Sequence, residues 1–471
     1  MNDISRYETT KRGYMANYIK FLANNGFIGI GGMPIGALLA YYGVMTVFMT
    51  SLGYGSIAIS VVNAIFYLGF ALSQVPSAYF LESKTIKKTW MGILQLSASG
   101  TFLVFGLILT LIGDGNSLII ILLFVVFYSM GTSIGGSAIP TQFALFNKIV
   151  PPEKLGKLLG IMFVVNSLAG MFGGWIVSRV FSLWPVDRAN PDFSLTAFKV
   201  LFIASFLFVL AAAVVIWTVR EQEGEKIPKK ENFPAYVSHT MGFLKQDANL
   251  ARFLVGKNLM FGQYAAKLFY ATYAISNLGV PAKYAGLFIS FFLGGFCTAG
   301  LTLARLADRY GPKFMLILSQ VLAFLSLMCA IFSETTASLA NPLFLGVSSL
   351  LNIALEPMGM GLVFETGYHN VFYIVFFLAG LSAICDNIGY SNMAFQSCPS
   401  DDKTTYVGLV NLFAFILPVI MPFVFGGLEK AGALTIRAVF VINAFVMIAA
   451  IAWLYSMVDN PAGFTKLKNR E

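Results

Sequence analysis

The sequence predicts an all-α membrane protein with twelve transmembrane helices in two six-helix bundles related by pseudo-two-fold symmetry. The first observation behind this prediction is composition: 57% of the 471 residues are hydrophobic, 11% are charged, and the mean hydropathy is +0.76. A soluble domain has about 25% charged residues, because its surface must meet water. The second observation is that apolar segments of roughly 20 residues, long enough to cross a hydrocarbon core, recur along the chain. The third is a long polar stretch that divides these segments into two sets of six.

The first bundle is predicted over residues 1–219 and the second over residues 251–471. The expected spans of the first bundle are 27–50, 56–80, 89–112, 117–146, 157–182 and 197–219. Those of the second bundle are 251–278, 282–304, 313–332, 369–397, 405–428 and 434–457. Between them, residues 220–250 contain the longest polar run of the chain and are predicted to be a cytoplasmic linker.

Lysine and arginine are distributed unevenly among the predicted loops. Most of the 31 basic residues lie in alternate loops, a set that includes the N-terminal segment, the linker and the C-terminus. The positive-inside rule therefore predicts that both termini are cytoplasmic, which requires an even number of spans. The same loops explain the net charge of +9 without a nucleic-acid partner. We expect an integral, monomeric protein of a bacterial inner membrane.

Residues 333–368 do not fit the pattern of spans. Their middle, 342–364, is apolar enough to resemble a thirteenth span, but Glu356, Pro357 and several glycines interrupt it. A thirteenth crossing would invert every later loop and place the basic C-terminus outside. We therefore predict an insertion on the outer side, which lies along the membrane interface, caps the mouth of the bundle or inserts into the membrane.

The two halves of the sequence correspond weakly to each other. The loop after the second span aligns with the loop after the eighth when Lys87 is placed over Lys313. Further along the chain, Pro151 aligns with Pro399 at a larger spacing. The extra length of the second half falls between these positions, where the predicted insertion lies. Two related six-span halves are a common plan of secondary transporters.

The loop between spans 8 and 9 carries the motif R-L-A-D-R-Y-G-P-K over residues 305–313. It resembles the G-x-L-A-D-R-x-G-x-K loop of the major facilitator superfamily, with Ala304 at the first glycine, and the chain resembles that superfamily over essentially its whole length. The resemblance implies a cytoplasmic gate, in which a carboxylate pairs with arginines and with a helix N-terminus. The corresponding loop of the first half matches the motif less well. Glu82 stands at the position of the acid, but Ser83 replaces the arginine and Thr85 replaces the glycine. With Glu82, the predicted gate residues are Arg305, Asp308, Arg309, Gly311 and Lys313.

Two ionisable residues, Asp386 in span 10 and Lys267 in span 7, lie deep within predicted spans, where charge is expensive and usually functional. The superfamily resemblance implies that spans 1, 4, 7 and 10 line a central cavity. We predict that Asp386 is a proton or substrate site and that Lys267 is its partner or an anion anchor; the alternative is a static salt bridge. Lys257 lies nearer the cytoplasmic end and is interpreted as a snorkelling side chain. Further predicted substrate- or proton-binding residues are Gln263, Tyr270, Tyr390, Asn387, Gln142, Asn166 and Tyr41.

The sequence therefore predicts a secondary active transporter that moves a small solute by alternating access. Lys267 favours proton-coupled uptake of a polar or anionic nutrient. Residues 169–174, A-G-M-F-G-G, partly match the G-P-x-x-G-G signature of the superfamily's drug antiporters and favour proton-coupled export of amphipathic drugs or metabolites. A non-transporting membrane receptor or scaffold is a third possibility, but it would not need buried charges. The expected partners are the solute, a proton or another coupling ion, and the lipid bilayer.

The motifs predict neither an enzymatic activity nor a bound cofactor. The two histidines, His239 and His369, are far apart, and the four cysteines form no C-x-x-C pair, so no metal site is predicted. No cytoplasmic loop carries a Gly-rich nucleotide motif, which argues against direct ATP drive.

Overall fold

The computed structural model describes residues 11–32, 36–82, 84–113, 116–150, 152–186, 193–221, 223, 248–355, 365–397, 410 and 413–461. Every regular element in these ranges is a helix, as predicted. The helices of the first half are α1 (Lys11–Gly31), α2 (Val44–Ser51), α3 (Ser56–Glu82), α4 (Lys87–Ile112), α5 (Ser117–Ile149), α6 (Pro152–Leu183) and α7 (Thr196–Trp217). Those of the second half are α8 (Ala248–Leu259), α9 (Phe261–Thr272), α10 (Ala285–Thr302), α11 (Ala304–Tyr310), α12 (Pro312–Ile331), α13 (Ser333–Leu355), α14 (Tyr368–Ser397), α15 (Ile416–Lys430) and α16 (Ile436–Met457). Most of the predicted linker, 220–250, lies outside the described residues.

Nine helices in the described part of the chain are long and apolar enough to cross a membrane: α3 to α7, α10, α12, α14 and α16. The other three predicted spans, the first, seventh and eleventh, do not consist of one long apolar helix. The first is divided into α1, a 3-10 helix at Ala37–Leu39 and α2, and the seventh into α8, α9 and a π-helix at Tyr273–Asn277. Spans 1 and 7 hold equivalent places in the two halves, so the interruption itself is repeated.

The first span begins earlier than predicted. Helix α1 starts at Lys11 rather than near residue 27. The side chain of Asn24 donates to the carbonyl of Ala212 on α7 (2.9 Å) and to the Gln95 side chain on α4 (3.1 Å). Hydropathy misses such a segment because it counts every amide as polar, whereas the amide nitrogen of Asn24 is paired inside the bundle.

A repeated hydrogen-bond pattern relates the two halves. In the first half, Asn17 donates to the carbonyl of Arg220 and accepts from its N–H, both at 3.0 Å. In the second half, Asn249 donates to the carbonyl of Asp459 (2.9 Å) and accepts from its N–H (2.8 Å). Each pair ties the first helix of a half to a residue just beyond its last helix. We call the end of the bundle that holds these four residues the basic end, because the lysine-rich loops lie there, and we call the other the opposite end.

The residue that follows each of these pairs caps the N-terminal end of the third span of its half. The Glu221 carboxylate accepts from the N–H of Lys87 (2.8 Å to Oε1) and the N–H of Lys88 (2.8 Å to Oε2). Asn460 Oδ1 accepts from the N–H of Lys313 (3.1 Å). Such oxygens satisfy helix donors that have no partner within the helix. Lys87 and Lys313 therefore occupy equivalent positions, as the alignment of the two halves predicts.

The two halves meet at the opposite end. The hydrogen bonds that join described residues of the two halves run from Ser60 to the Pro422 carbonyl (2.7 Å), Asn63 to Pro418 (3.0 Å), Ser178 to Lys283 (2.8 Å) and Ser290 to Met171 (2.8 Å). Glycines permit the close approach of α6 and α10, because a Cβ on Gly174 would lie 2.6 Å from the Gly286 carbonyl oxygen. The bundle is therefore closed at the opposite end.

The segment predicted to be an insertion contains helix α13, and residues 356–364 lie outside the described part. Asn341 of α13 accepts hydrogen bonds from the N–H of Gly367 (3.1 Å) and from the Asn370 side chain (2.8 Å). The ring of Phe344 packs against Tyr373, with centroids 5.4 Å apart. Helix α13 thus lies against the first turn of α14 at the opposite end. That the segment interrupts the repeat stays a prediction.

Candidate functional site

A buried ion pair lies inside the second half. Lys257 on α8 and Asp386 on α14 are joined by a 2.5 Å contact between Nζ and Oδ1. Lys257 is 1% exposed and Asp386 is 5% exposed. Charges buried to this degree are stable in a protein only when they are paired and hydrogen-bonded.

Two further side chains complete the surroundings of the Asp386 carboxylate. The Tyr264 hydroxyl donates to Oδ2, and Gln263 Nε2 donates to the same oxygen at 3.2 Å. Lys257 Nζ also donates to the Tyr264 hydroxyl, at 2.6 Å. The Gln263 carbonyl oxygen is held in turn by hydroxyl groups of Ser382 (3.0 Å) and Ser319 (3.3 Å). The carboxylate therefore receives hydrogen bonds from three side-chain donors.

The predicted pairing of Asp386 with Lys267 is wrong, and so is the interpretation of Lys257 as a snorkelling residue. At 1.5 Å per residue, Lys257 lies about 14 Å from the start of α8 and Asp386 about 17 Å from the end of α14. The two residues are therefore at nearly the same depth, measured from the basic end. Lys267 lies about 15 Å further along its span than Lys257, which places its ammonium group beyond the carboxylate.

Lys267 instead lies among aromatic rings from both halves. Its Nζ is 5.4 Å from the ring centroid of Tyr41, 5.5 Å from that of Tyr42, 5.7 Å from that of Tyr264 and 5.4 Å from that of Phe292. We call these four rings the aromatic box. The side chain of Lys267 is partly exposed, whereas Lys257 is fully buried. Among the described residues, no carboxylate lies within 4 Å of Lys267.

Tyr264 connects the aromatic box to the ion pair, because its ring lies near Lys267 while its hydroxyl group bonds to Asp386. A second connection comes from the first half. The hydroxyl groups of Tyr41 and Tyr67 lie 3.1 Å apart, and the ring of Tyr67 packs edge-on against that of Tyr264, with centroids 5.6 Å apart. The charged residues of the second half are therefore in contact with the first half through aromatic side chains.

Other predicted binding residues are distributed around this centre. Tyr390 is close to it, because Lys257 Nζ lies 4.8 Å from its ring centroid. Tyr270 faces elsewhere: its hydroxyl accepts from Ser326 on α12 (3.3 Å), and its ring packs against Phe440 on α16. Asn387 is exposed, about 100° around α14 from Asp386.

The predicted polar residues of the first half lie apart from the ion pair. Asn166 donates to the carbonyl of Asn25 on α1 at 3.1 Å and so fastens α6 to α1. Gln142 on α5 is partly exposed. Of the three binding residues predicted in the first half, Tyr41 is the one whose ring lies near a membrane-embedded charge, that of Lys267.

The gate predicted at the basic end is described in part. Lys313 Nζ donates to the carbonyl of Tyr455 (2.8 Å). Gly311 has a φ of 86° and lies against the Asn460 side chain, so that a Cβ on this residue would be 2.6 Å from Asn460 Oδ1. Arg305 and Arg309 are exposed. The side chains of Asp308 and Glu82 fall outside the described part, so the predicted carboxylate latch stays a prediction.

The first half has a carboxylate at its basic end that the sequence analysis missed. Glu221 pairs with Lys148 at the end of α5, with 2.8 Å between Nζ and Oε1, in addition to capping α4. Lys148 also donates to the Thr85 carbonyl at 2.7 Å. Glu221 follows the last span of the first half and lies outside the repeated motif, so an alignment of motifs could not reveal it.

Tyr264, Tyr42, Phe292 and Ser319 were also missed as neighbours of the charged residues. Tyr264 is seven residues after Lys257, which places the two side chains on the same face of a helix. That spacing could have revealed Tyr264 once Lys257 was taken as buried. The three other residues come from distant segments, and no local spacing indicates them.

Comparisons with known proteins agree with this architecture. The sequence model of the Major Facilitator Superfamily matches residues 28–366 and 261–471. A mutant form of the nucleoside transporter NupG superposes with a TM-score of 0.65 at 11% identity, covering 95% of this chain and 100% of its own. The D-xylose-proton symporter gives a TM-score of 0.62 at 14% identity, covering 95% of this chain and 98% of its own.

A variant of the E. coli fucose:proton symporter FucP gives a TM-score of 0.54 at 14% identity, with coverage of 95% and 98%. No curated protein matches the sequence significantly. At these identities the likeness to solved structures shows the fold alone.

Proposed function

The chain belongs to the Major Facilitator Superfamily and is a membrane transporter, not an enzyme; from this premise we propose that it takes up a small polar or anionic solute together with protons. The proton site is Asp386, and the solute crosses by alternating access between the two halves. The basic end faces the cytoplasm, as the positive-inside rule predicts.

The observation that carries the proposal is the buried carboxylate with its ammonium partner. Protonation of Asp386 would neutralise the carboxylate and leave Lys257 with the Tyr264 hydroxyl as its remaining hydrogen-bond partner. The contacts between α8, α9 and α14 would then weaken. An intramembrane acid that links a proton to helix contacts is a common coupling element of transporters.

The closed opposite end supports a rocking motion of the two halves. With the basic end in the cytoplasm, the structure is the state closed to the outside. The hydrogen bonds of Ser60 and Asn63 to carbonyls on α15 would have to break when the outer side opens. Tyr67 lies between these bonds and the ion pair, where its ring stacks on Phe415 with centroids 4.9 Å apart.

The comparisons support proton coupling only by analogy. Two of the structural neighbours are named as proton symporters, one for D-xylose and one for fucose, and another is named as a nucleoside transporter. A receptor that moves nothing has no need of a buried ion pair and a third membrane-embedded charge, so transport explains these residues better.

The experiment is reconstitution into liposomes with an imposed pH gradient, with a pH-sensitive dye inside and a panel of sugars, nucleosides and organic acids outside. We expect a solute to acidify the lumen of vesicles that contain the wild type. Asp386→Asn should abolish this acidification while solute exchange in the absence of a gradient persists. Asn392→Ala, at a partly exposed residue of the same helix, is the matched control and should keep both. Normal gradient-driven accumulation by Asp386→Asn would refute the proposal.

A further inference from the structure

We infer that Lys267 and the aromatic box bind the transported solute, and that the solute is a monocarboxylate with a flat apolar body. This inference rests on the proposed function, since it names the solute class for the same central region. It depends on four features of Lys267: its charge, its hydrogen bonds, its neighbours and its place between the two halves.

The first feature is an uncompensated charge. Asp386 and Lys257 neutralise each other through their 2.5 Å contact. The centre of the bundle therefore carries one net positive charge, that of Lys267, because no described carboxylate pairs with it. Charges within a membrane protein usually pair with one another or with a ligand. The missing counter-charge is therefore best supplied by an anionic solute.

The second feature is the contrast between the two membrane-embedded lysines. The ammonium group of Lys257 donates to both Asp386 and Tyr264. Lys267 makes no hydrogen bond with any described residue, and its described partners are ring faces. Ring faces attract a cation but accept no strong hydrogen bond, so the three N–H donors of Lys267 remain available to a carboxylate.

The third feature is the aromatic box itself. Tyr41, Tyr42, Tyr264 and Phe292 place three phenols and one phenyl ring around the ammonium group. Aromatic side chains favour flat apolar partners, which stack on their faces or meet their edges. Lys267 supplies a single positive charge, which matches a monocarboxylate better than a dianionic phosphate group.

The fourth feature is the position of Lys267 on α9, between the two interruptions of span 7 and beside the residues that precede α2 in span 1. Tyr41 and Tyr42 precede α2 in the first half, whereas Tyr264 and Lys267 lie on α9 in the second. Interrupted helices in equivalent positions of two repeats commonly mark the substrate site of a transporter. The box draws on both halves, so a solute bound there would be in contact with both during the rocking motion.

The test is direct binding to the purified full-length protein in detergent, without a pH gradient, measured by isothermal titration calorimetry. The probes are benzoate, phenylacetate and 3-phenylpropanoate, each paired with its uncharged amide. We expect at least one of these carboxylates to bind wild type and its amide to bind at least about tenfold more weakly, as the loss of a charge-assisted hydrogen bond implies. Lys267→Met should weaken carboxylate binding by roughly 10- to 100-fold, and Lys267→Arg should retain most of it.

The matched control is Lys283→Met, which removes an exposed lysine that lies over one described ring, that of Tyr284 (5.1 Å). It should bind the carboxylates as the wild type does. Equal binding of acid and amide, equal binding by wild type and Lys267→Met, or no binding of any of the three acids would overturn the inference. If Lys267→Met fails to fold, Lys267→Gln replaces it. Failure of the proposed function is seen separately, as normal gradient-driven flux in Asp386→Asn, because the binding assay involves no gradient.

Discussion

Loss of charge should destabilise the protein more at Lys257 than at Lys267. Removing either partner of the Lys257–Asp386 pair leaves the other buried and unpaired, and breaking a buried pair in this way costs about 3–5 kcal/mol of stability. Lys257→Met should lie near about 3 kcal/mol, since the Asp386 carboxylate keeps the donors Tyr264 and Gln263. Asp386→Asn should lie near about 5 kcal/mol, because the Lys257 ammonium loses the one carboxylate that pairs with it among the described residues.

The double variant Lys257→Met/Asp386→Asn tests whether these losses arise from the pair. Replacing a buried ion pair with uncharged groups is often close to neutral, so we expect the double variant to lose roughly 0–2 kcal/mol. The sum of the single losses is about 8 kcal/mol, and the coupling energy should therefore be about 6–8 kcal/mol. The measurement is reversible unfolding of the purified protein by SDS in mixed micelles.

Lys267→Met is the variant with which Lys257→Met is compared. The Lys267 ammonium group has no ion pair with a described residue to lose, and ring contacts of this kind contribute about 0.5–2 kcal/mol. The variant should therefore unfold within about 2 kcal/mol of the wild type. Additive losses in the Lys257→Met/Asp386→Asn cycle, or a loss for Lys267→Met as large as that for Lys257→Met, would refute the assignment of the pair.

Two further predictions concern the ends of the bundle. Gly174→Leu should prevent closure of the opposite end, because even a Cβ there would lie 2.6 Å from the Gly286 carbonyl oxygen. Solute flux should be lost while membrane insertion is normal. Gly300→Leu, with open space around the glycine, should transport normally. Glu221→Ala should lower the free energy of unfolding by about 2–4 kcal/mol, because two helix N–H groups and Lys148 lose a charged acceptor. Asn460→Ala should lower it by about 1 kcal/mol, because one N–H group, that of Lys313, loses an uncharged acceptor. Equal losses for the two cap variants in SDS unfolding would contradict this reasoning.

Hydropathy predicted the helices well wherever a single apolar run crosses the bundle, as in α4, α7, α12 and α16. This succeeds because lipid selects apolar residues locally, one span at a time. It failed in the first half of α1, since Asn17 and Asn24 there donate hydrogen bonds to groups outside the helix, which a local average of hydropathy does not register. The interruptions in spans 1 and 7 also escaped it, because a bent apolar segment has the same composition as a straight one.

The burial of Asp386 could be predicted, but its partner could not be chosen correctly. Both Lys257 and Lys267 were visible in span 7, and depth counted from an uncertain helix end could not separate them. A similar difficulty applies at the basic end, where Glu221 pairs with Lys148 and was not predicted because it lies outside the repeated motif. The predicted role of Glu82 stays a prediction. In each case the choice depends on which helices pack together, and that is a property of the whole bundle.

Tyr264 links the proposed proton site to the inferred solute site. Its hydroxyl group belongs to the hydrogen-bond network of Asp386, and its ring belongs to the aromatic box around Lys267. A solute that moves this ring would change the hydrogen bonding of the carboxylate, and protonation of the carboxylate would change the position of the ring. By thermodynamic reciprocity, the effect of the solute on proton binding must equal the effect of the proton on solute binding. Tyr264 is therefore the residue through which cotransport of the two would be enforced, without direct contact between them.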